Sequence, residues 1–485
     1  MQFKIKHITY ALITSGVLLS SNIAIAADAD IDALRKTIEE LDQKIKIIER
    51  KNEIAAEEAA AKKKETPVVV AGPSGFAIKS ADGQFEYALK GLLQLDYRTF
   101  DSQDFPRAAP DGFTARRIRP TFQGTLFGKY DFRFTPEFGE ASNTDTNANS
   151  GNISRVIDAY VDGRFDPAFK IRAGKAKPFV GLERLQGGGD IKFIERSYVS
   201  NNILPNRGLG VSAYGDLFDN KLSYAVGIFN GTNDGGEETT KIDVDNDKDY
   251  AARIFTTPFK GSDSVLEGLG FGLAGTYTDS ARGTLPSYKT PAQQLNFFAY
   301  TNTIGDGKRV RLSPQAYYYY GPFGLITEYA SVSQDVRNTV NGSTDKLKND
   351  AWQIAGSWLL TGEDASFKGV KPKRPFETGK EGWGAWELIA RYQQNTIDSD
   401  AFTSVAGAAN AKYADPRTQA KEAKTWGVGV NWYLNQWVKL STSYELTKFD
   451  GGGSINKLGA ATGALTNVDD RDDERILFSR LQFQF

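Results

Sequence analysis

The sequence of 485 residues contains no cysteine and a single histidine, His7. A chain without cysteine forms no disulfide and has no thiol nucleophile. One histidine near the N-terminus also leaves no partner for a Ser-His-Asp triad or a histidine-ligated zinc site. Pairs of carboxylates are the catalytic groups that remain. We therefore expect a protein that is not an enzyme and that holds neither a metal ion nor a cofactor.

Long hydrophobic segments are also scarce. The apolar run Ile8–Leu19 is short for a membrane-spanning helix. It follows Lys4 and Lys6, and small residues precede Ala26. This order is typical of a secretory signal peptide, so we predict a signal peptide over residues 1–26 and an exported mature chain. A buried N-terminal helix is the alternative. No later apolar run reaches about 18 residues, so no transmembrane helix is expected.

An excess of charge of either sign is missing as well, with 59 Lys and Arg against 60 Asp and Glu. Nucleic-acid-binding proteins are usually basic, so no nucleic-acid partner is expected. What the chain does have is 48 Gly, 30 Phe and 21 Tyr. Such a composition is typical of transmembrane β-barrels, whose alternating strands are polar on average.

A heptad pattern runs through residues 27–65. The spacing alternates between three and four residues at Ile31, Leu34, Ile38, Leu41, Ile45, Ile48, Asn52 and Ala55. This a/d seam predicts a coiled coil, and Asn52 at an a position would fix its register. The seam leaves open a dimer or a trimer, and a lone amphipathic helix is the alternative. Residues 66–84 contain Pro67 and Pro73 and are predicted to be a linker.

From residue 85 the period changes to two. Leu93, Leu95 and Tyr97 share one face of the first segment, and Gln94 and Asp96 share the other. Sixteen such segments begin near residues 85, 115, 130, 153, 169, 209, 221, 250, 268, 309, 323, 350, 383, 423, 437 and 475. Short and long connections alternate between them. The pattern predicts an all-β fold over residues 85–485, a 16-stranded antiparallel transmembrane β-barrel.

Two details of the barrel pattern carry further expectations. Residues 362–382 form a long, basic connection where a short periplasmic turn is expected. The last segment, "DERILFSRLQFQF", ends on Phe485 with an apolar face, and it must pair with the first strand because a sheet can span lipid only when it closes. A soluble antiparallel sandwich is the alternative.

The lumen of sixteen strands is too wide to be filled by side chains, so it holds water. The loop from Pro178 to Gly208 is the candidate to fold inward and narrow it. Basic residues recur on this loop and at similar depth on the strands: Arg116, Arg117, Arg119, Lys175, Lys177, Arg184, Arg196, Arg207, Arg309 and Arg311. Rings of Arg and Lys select anions, and the Arg fork matches phosphate oxygens. Ordinary lumen charges in a non-selective porin are the alternative.

Two acidic segments, "DVDNDKD" at 243–249 and "DDRDDE" at 469–474, are predicted to be solvated outer loops. Lys248 occupies the position where a calcium-binding EF-hand loop needs glycine. Both segments could bridge divalent cations to the anionic head groups of outer-membrane lipid and lipopolysaccharide.

Several segments carry a family resemblance, among them "ARRIRPTFQGTLFGKYDFRF", "IDAYVDGRF", "GKAKPFVGLERL", "PQAYYYYGPFGL" and "NWYLNQWVKLSTSYE". In this order they resemble the phosphate-selective porin O and P family of Gram-negative outer membranes, over residues 85–485. The resemblance implies a homotrimer of 16-stranded barrels that passes phosphate or polyphosphate. It also implies constriction arginines at Arg116 and Arg117, a pore aspartate at Asp158 and a pore lysine at Lys175 or Lys177. Arg119 stands where the family has an uncharged aromatic residue.

The combined expectation is a porin in the bacterial outer membrane, with the coiled coil in the periplasm, that allows passive diffusion of small anions such as phosphate. The alternative is a general diffusion porin whose coiled coil acts as a trimer clasp or a cell-wall spacer. The predicted pore residues are Arg116, Arg117, Arg119, Asp158, Lys175, Lys177, Arg184 and Arg196.

Overall fold

The computed structural model describes residues 27–72, 75–101, 110–139, 155–237, 247–403, 412–453 and 469–485. The predicted signal peptide, residues 1–26, lies outside the described residues, as do Asp243 and Asp245 of the first acidic segment. The chain divides into two compact units, residues 1–66 and 67–485.

The described part of the first unit is a single helix, α1 (Ala27–Glu65). The ion pair between Asp42 and Lys46, one helical turn apart, supports it locally. The seam residues Leu34 and Ile38 are 64 and 58% exposed, so this part of the apolar stripe is open to solvent among the described residues. Among the described residues, no helix combines the length and the hydropathy needed to cross a membrane.

The second unit is built on sixteen antiparallel strands. In chain order they are β1 (Glu86–Phe100), β2 (Gly112–Leu126), β3 (Tyr130–Glu137), β4 (Arg155–Asp166), β5 (Phe169–Ala176), β6 (Gly208–Leu217), β7 (Leu222–Phe229), β8 (Asp249–Thr256), β9 (Leu269–Thr284), β10 (Thr303–Tyr320), β11 (Phe323–Asn338), β12 (Thr344–Leu359), β13 (Ala385–Thr396), β14 (Ala420–Tyr433), β15 (Val438–Gly451) and β16 (Glu474–Gln484). Their positions follow the predicted segments closely.

The strands close into a ring. Each pairs with its neighbour in sequence, and β16 pairs with β1 from Ile476 opposite Phe100 to Gln484 opposite Leu92. Closure gives every strand two partners, which is the condition for spanning lipid. The alternation also holds. Leu93 is 44% exposed on the outer face, whereas Gln94 is completely buried on the lumen side. The predicted 16-stranded barrel is confirmed.

The connections differ in length at the two ends of the barrel. At one end β10 and β11 are joined by Gly321 and Pro322 alone, and β4 and β5 by Pro167 and Ala168. At the same end residues 360–384 join β12 to β13, so this predicted exception to the short turns is confirmed. The turn folds back onto the barrel, since Val370 is buried against Tyr433 and its neighbours.

The predicted linker, residues 66–84, contains a hairpin instead. Its strands are Val68–Gly72 and Gly75–Lys79, and the second strand pairs with β1 from Phe76 opposite Leu89 to Lys79 opposite Glu86. The prediction followed the proline and glycine residues, but these flank short apolar runs that favour strands.

One part of the lumen is a dry core, named here the packed half. It is formed by the inner faces of β11 to β15 with parts of three loops. These loops include the short strands Tyr288–Lys289 and Asn296–Phe298, the 3-10 helix Ser399–Phe402 and the π-helical turn Val199–Ile203. Its buried side chains include Tyr198, Tyr288, Phe297, Phe298, Val332, Leu347, Phe402, Tyr413 and Phe449.

Candidate functional site

The connection between β5 and β6, Lys177–Arg207, crosses the lumen and is named here the inward loop. It begins with a single helical turn, α2 (Leu182–Leu185). The backbone amide of Leu182 donates to Glu328 on β11 at 2.6 Å, and Arg480 on β16 donates to the carbonyl of Ile194 at 2.6 Å. The loop is therefore fastened to well-separated strands, and the expectation that it folds inward is confirmed.

Glu195 forms the ion pairs that hold this loop to the barrel wall. Its carboxylate is 1% exposed and accepts two hydrogen bonds from Arg116, at 2.5 and 3.1 Å. Arg98 and Arg480 lie 3.3 and 3.6 Å away. Burial favours the neutral acid, but the charges of Arg116 and Arg117 outweigh it and hold the pKa of Glu195 well below its usual range. The loop is thus held to β2 by a carboxylate that stays ionised.

Between the inward loop and β1 to β5 lies a cavity of about 590 Å³, the basic cavity. Two carboxylates, Asp158 and Glu237, are the only ones that the described residues contribute to its lining. The cations of the lining are nine arginines and one lysine: Arg116, Arg117, Arg119, Arg133, Arg155, Arg172, Arg184, Arg196, Arg207 and Lys177.

A β-bulge explains how two adjacent arginines reach the same cavity. Consecutive residues of a regular strand point to opposite faces. In the pairing of β1 with β2, however, Gln94 lies opposite Arg117 and Leu95 opposite Ala115, so Arg116 is an extra residue. The bulge turns Arg116 and Arg117 to the lumen together.

A second bulge acts in the same way on β4. Thr135 lies opposite Asp158 and Pro136 opposite Val156, so Ile157 is the extra residue. Ile157 and Asp158 both line the basic cavity as a result. The two bulges therefore enrich the cavity wall in side chains that strict alternation would have sent into the membrane.

Some of the lining cations are neutralised by a carboxylate. Arg207 lies 2.9 Å from Asp158, and Arg133 lies 3.8 Å from the same side chain. Arg119 forms an ion pair with Glu137 on β3. These pairs fix the side chains, but each cancels charge that an anion could otherwise use.

Four lining cations have no carboxylate within ion-pair distance among the described residues. We call Arg117, Lys177, Arg184 and Arg196 the four unpaired cations. Lys177 donates to the carbonyl of Gln186 at 2.7 Å, and Arg196 donates to the same oxygen at 2.9 Å. Such neutral partners orient the cations without cancelling their charge.

Arg184 and Arg117 are held in the same way. Arg184 donates to the side-chain oxygens of Asn206 and Asn201 at 3.1 and 3.2 Å, and Arg117 donates to Gln94. Both arginines are buried.

The accumulation of positive charge also affects the pKa of Lys177. Burial, followed by the charges of Arg196 and Arg207, lowers the pKa of the Lys177 ammonium well below its ordinary value. An anion in the basic cavity would offset this effect, because it favours the charged form of every cation around it.

The structure brings seven of the eight predicted pore residues to the wall of the basic cavity: Arg116, Arg117, Arg119, Asp158, Lys177, Arg184 and Arg196. Lys175 is the exception. It is 4% exposed and lies 3.0 Å from Glu237, outside the lining of the cavity.

The positions of several other charged residues differ from the prediction. Arg309 and Arg311 lie apart from the basic cavity, where both approach Asp249. Asp249, predicted to be in a solvated loop, is 4% exposed because it begins β8 and faces the lumen. Three lining arginines, Arg133, Arg155 and Arg172, were missed, although each falls on a lumen-facing position of its strand that alternation could have revealed.

Comparison with known proteins gives a family match, a relative in sequence and similar solved structures. The family model "Phosphate-selective porin O and P" matches residues 87–485. Porin O of Pseudomonas aeruginosa is 25% identical over 451 residues, covering 86% of this chain and 92% of that protein.

Among solved structures, the outer membrane channel DcaP of Acinetobacter baumannii is similar with a TM-score of 0.51 at 11% identity, over 85% of this chain and all of that one. The trimer form of OmpT of Vibrio cholerae has a TM-score of 0.48 at 12% identity, over 83% and 99%. The DcaP likeness shows the fold alone.

Proposed function

The chain belongs to the phosphate-selective porin O and P family, and from this premise we propose that it is an outer-membrane porin for the passive diffusion of small anions, phosphate and polyphosphate first. It is a channel rather than an enzyme. The observation that carries the proposal is the set of four unpaired cations around one cavity. Positive charge without a carboxylate partner raises the local potential and favours the entry of anions.

The chemistry of the four unpaired cations suits phosphate. An anion that enters a narrow segment loses hydration, and fixed Arg and Lys donors replace the lost water. Arg117, Arg184 and Arg196 supply guanidinium N–H donors suited to phosphate oxygens, while Lys177 adds a compact charge. Because the cavity walls have low dielectric, these charges act more strongly than they would in open water.

A route onward from the basic cavity supports passage rather than storage. A second cavity of about 610 Å³ shares Gly187, Gly188 and Arg133 with it. Lys368 and Lys371 of the long turn also line this second cavity. An anion released from the basic cavity thus meets further positive charge, which keeps each binding step shallow enough for flow.

The helix α1 supports a trimer. Its seam of Ile and Leu is exposed along its length. Ile at both seam positions, as at Ile45 and Ile48, favours a coiled coil of three helices. We place this coiled coil in the periplasm as the clasp of a homotrimer, after removal of a signal peptide that ends at Ala26. At the opposite membrane surface, the acidic residues 469–473 would contact lipopolysaccharide through divalent cations.

Planar bilayer recording of the mature protein tests the channel. In a KCl gradient the reversal potential should show chloride preferred over potassium, and inorganic phosphate added to one side should reduce the chloride current in a saturable manner. Equal permeability to the two ions, with no block by phosphate, would support the general diffusion porin instead.

A further inference from the structure

One wall of the basic cavity is aromatic and apolar. Tyr160 on β4 and Phe179 on the inward loop line it together with Ile157 and Leu185, and these four residues are named here the aromatic wall. Tyr160 lies two residues after Asp158 on the same strand face, so the wall directly adjoins the cations. Bare inorganic phosphate has no group that such a surface could bind.

The two rings of the aromatic wall are held in place by Arg172. Its guanidinium carbon lies 4.0 Å from the centroid of Tyr160 and 5.1 Å from that of Phe179. Asp162 fixes this guanidinium through two hydrogen bonds of 2.7 and 2.8 Å. Phe179 also packs on Tyr214, with ring centroids 4.8 Å apart. These contacts fix the positions of both rings, and a pre-organised surface lowers the entropy cost of binding to it.

Both rings remain partly accessible, in contrast to the fully buried aromatics of the packed half. Tyr160 and Phe179 are of intermediate exposure, while Phe297 and Phe298 are 0% exposed. The volume of the cavity also suits a solute with an organic group. About 590 Å³ falls within the roughly 300–1,000 Å³ that is typical of sites for drug-sized ligands. A phosphate group leaves most of this space to an organic substituent.

We propose that the basic cavity selects phosphate monoesters that carry an aromatic group, such as aryl phosphates or nucleotides, over esters that carry a small aliphatic group. The phosphate oxygens bind the four unpaired cations, and the ring packs on Tyr160 and Phe179. This inference rests on the proposed anion channel and specifies its preferred class of solute. The cations still decide entry, so a neutral aromatic compound gains no passage from the wall.

The experiment compares three blockers of the chloride current in planar bilayers: inorganic phosphate, methyl phosphate and phenyl phosphate. The two esters carry the same ionising group and differ in the organic substituent. An aromatic contact strengthens binding about three- to tenfold, so phenyl phosphate should block at a three- to tenfold lower concentration than methyl phosphate.

Variants distinguish the contribution of the aromatic wall to binding from that of the four unpaired cations. Replacing both rings, Tyr160→Leu with Phe179→Leu, should bring the two esters to the same blocking concentration and leave block by inorganic phosphate within about twofold. The matched control is Tyr319→Leu, a half-buried lumen tyrosine of β10 that lines neither cavity, and it should keep the wild-type preference.

The outcomes are distinct. Equal block by the two esters in the wild-type channel overturns the inference, and so does a preference that survives the double substitution. The wild-type comparison decides the matter even where the double variant fails to fold. Failure of inorganic phosphate and of both esters to block at all would instead overturn the proposed anion channel on which the inference rests.

Discussion

The packed half and the basic cavity occupy the same barrel but differ in the balance of their buried charges. In the packed half, Arg391 lies 3.0 Å from Glu445, and nearby Lys192 lies 2.7 Å from Glu387. Several buried charges there occur in pairs, while buried Glu328 and Lys439 bond to backbone groups. Across the lumen, the four unpaired cations share a cavity with two carboxylates of the described residues, and one of these, Asp158, is already engaged by Arg207.

This contrast explains how a chain with a formal net charge of −1 can hold a strongly positive site. Total charge describes solubility, whereas local selectivity depends on which charges lack a partner. The packed half contributes to the pore by closing part of the lumen to solutes. Because its side chains fill one side of the lumen, they leave the cavity beside β1 to β5 for the passage of solutes.

The largest expected effect concerns the packed half. Phe297 is fully buried, with its ring centroid 5.9 Å from that of Tyr198. Phe297→Ala should lower the free energy of unfolding by about 3–5 kcal/mol because it leaves a cavity in a dry core. Urea unfolding in lipid vesicles, followed by tryptophan fluorescence, measures the change.

The matched control is Phe113→Ala, since Phe113 is 75% exposed on the outer face and its loss should cost far less. Anion selectivity should be unchanged in both variants. A change of selectivity in Phe297→Ala without loss of stability would show that the two regions do not act separately.

The next effect concerns a single unpaired cation. Arg117→Gln removes one of the four unpaired positive charges from the basic cavity and should lower the chloride-over-potassium permeability ratio about three- to tenfold. Reversal potentials in a KCl gradient measure the ratio. Arg253→Gln is the control, because Arg253 is a lumen arginine bonded to Gln315 outside the cavity. Equal effects of both substitutions would mean that lumen charge acts as a diffuse field.

Removing a carboxylate from the basic cavity should have the opposite effect and strengthen the binding of anions. Asp158→Asn should free Arg207 and Arg133 from their shared carboxylate and make block by inorganic phosphate about two- to fivefold tighter. Titration of the chloride current with phosphate gives the value. Asp216→Asn, which breaks an ion pair with Lys170 outside the cavity, should have no such effect. Weaker block in Asp158→Asn would show that Asp158 mainly positions the arginines.

The smallest expected effect is a pH dependence. Because the pKa of Lys177 is lowered, raising the pH should remove its charge while exposed lysines remain protonated. The chloride preference should therefore fall about twofold as the pH rises, at a lower pH than that at which exposed lysines titrate, and return on acidification. Lys177→Arg should abolish this dependence, since arginine keeps its charge. An identical pH profile in the variant would assign the titration to another group.

Much of the barrel could be predicted because its rule is local. Alternation at Leu93 and Gln94 follows from the geometry of one strand, and closure follows from the need of each backbone group for a partner. The hairpin at 68–79 was missed because proline and glycine next to short apolar runs indicate a turn or a linker equally well.

The pore was less accessible to sequence reasoning, for two physical reasons. Bulges at Arg116 and Ile157 shift the side-chain alternation by one residue, and no pattern within either strand marks them. Ion pairs such as Lys175 with Glu237 join residues that are distant in sequence, so a list of charges does not reveal which of them stay unpaired.

The pairing of β1 with β16 also constrains the order in which the barrel folds. The side chains of Gln94 and Gln482 bond across 388 positions of sequence, so the ring cannot close until nearly all strands are in place. Contacts of such long range form slowly. During that interval the two terminal strands expose unsatisfied edges that invite aggregation, and a chain truncated before residue 474 would keep them exposed.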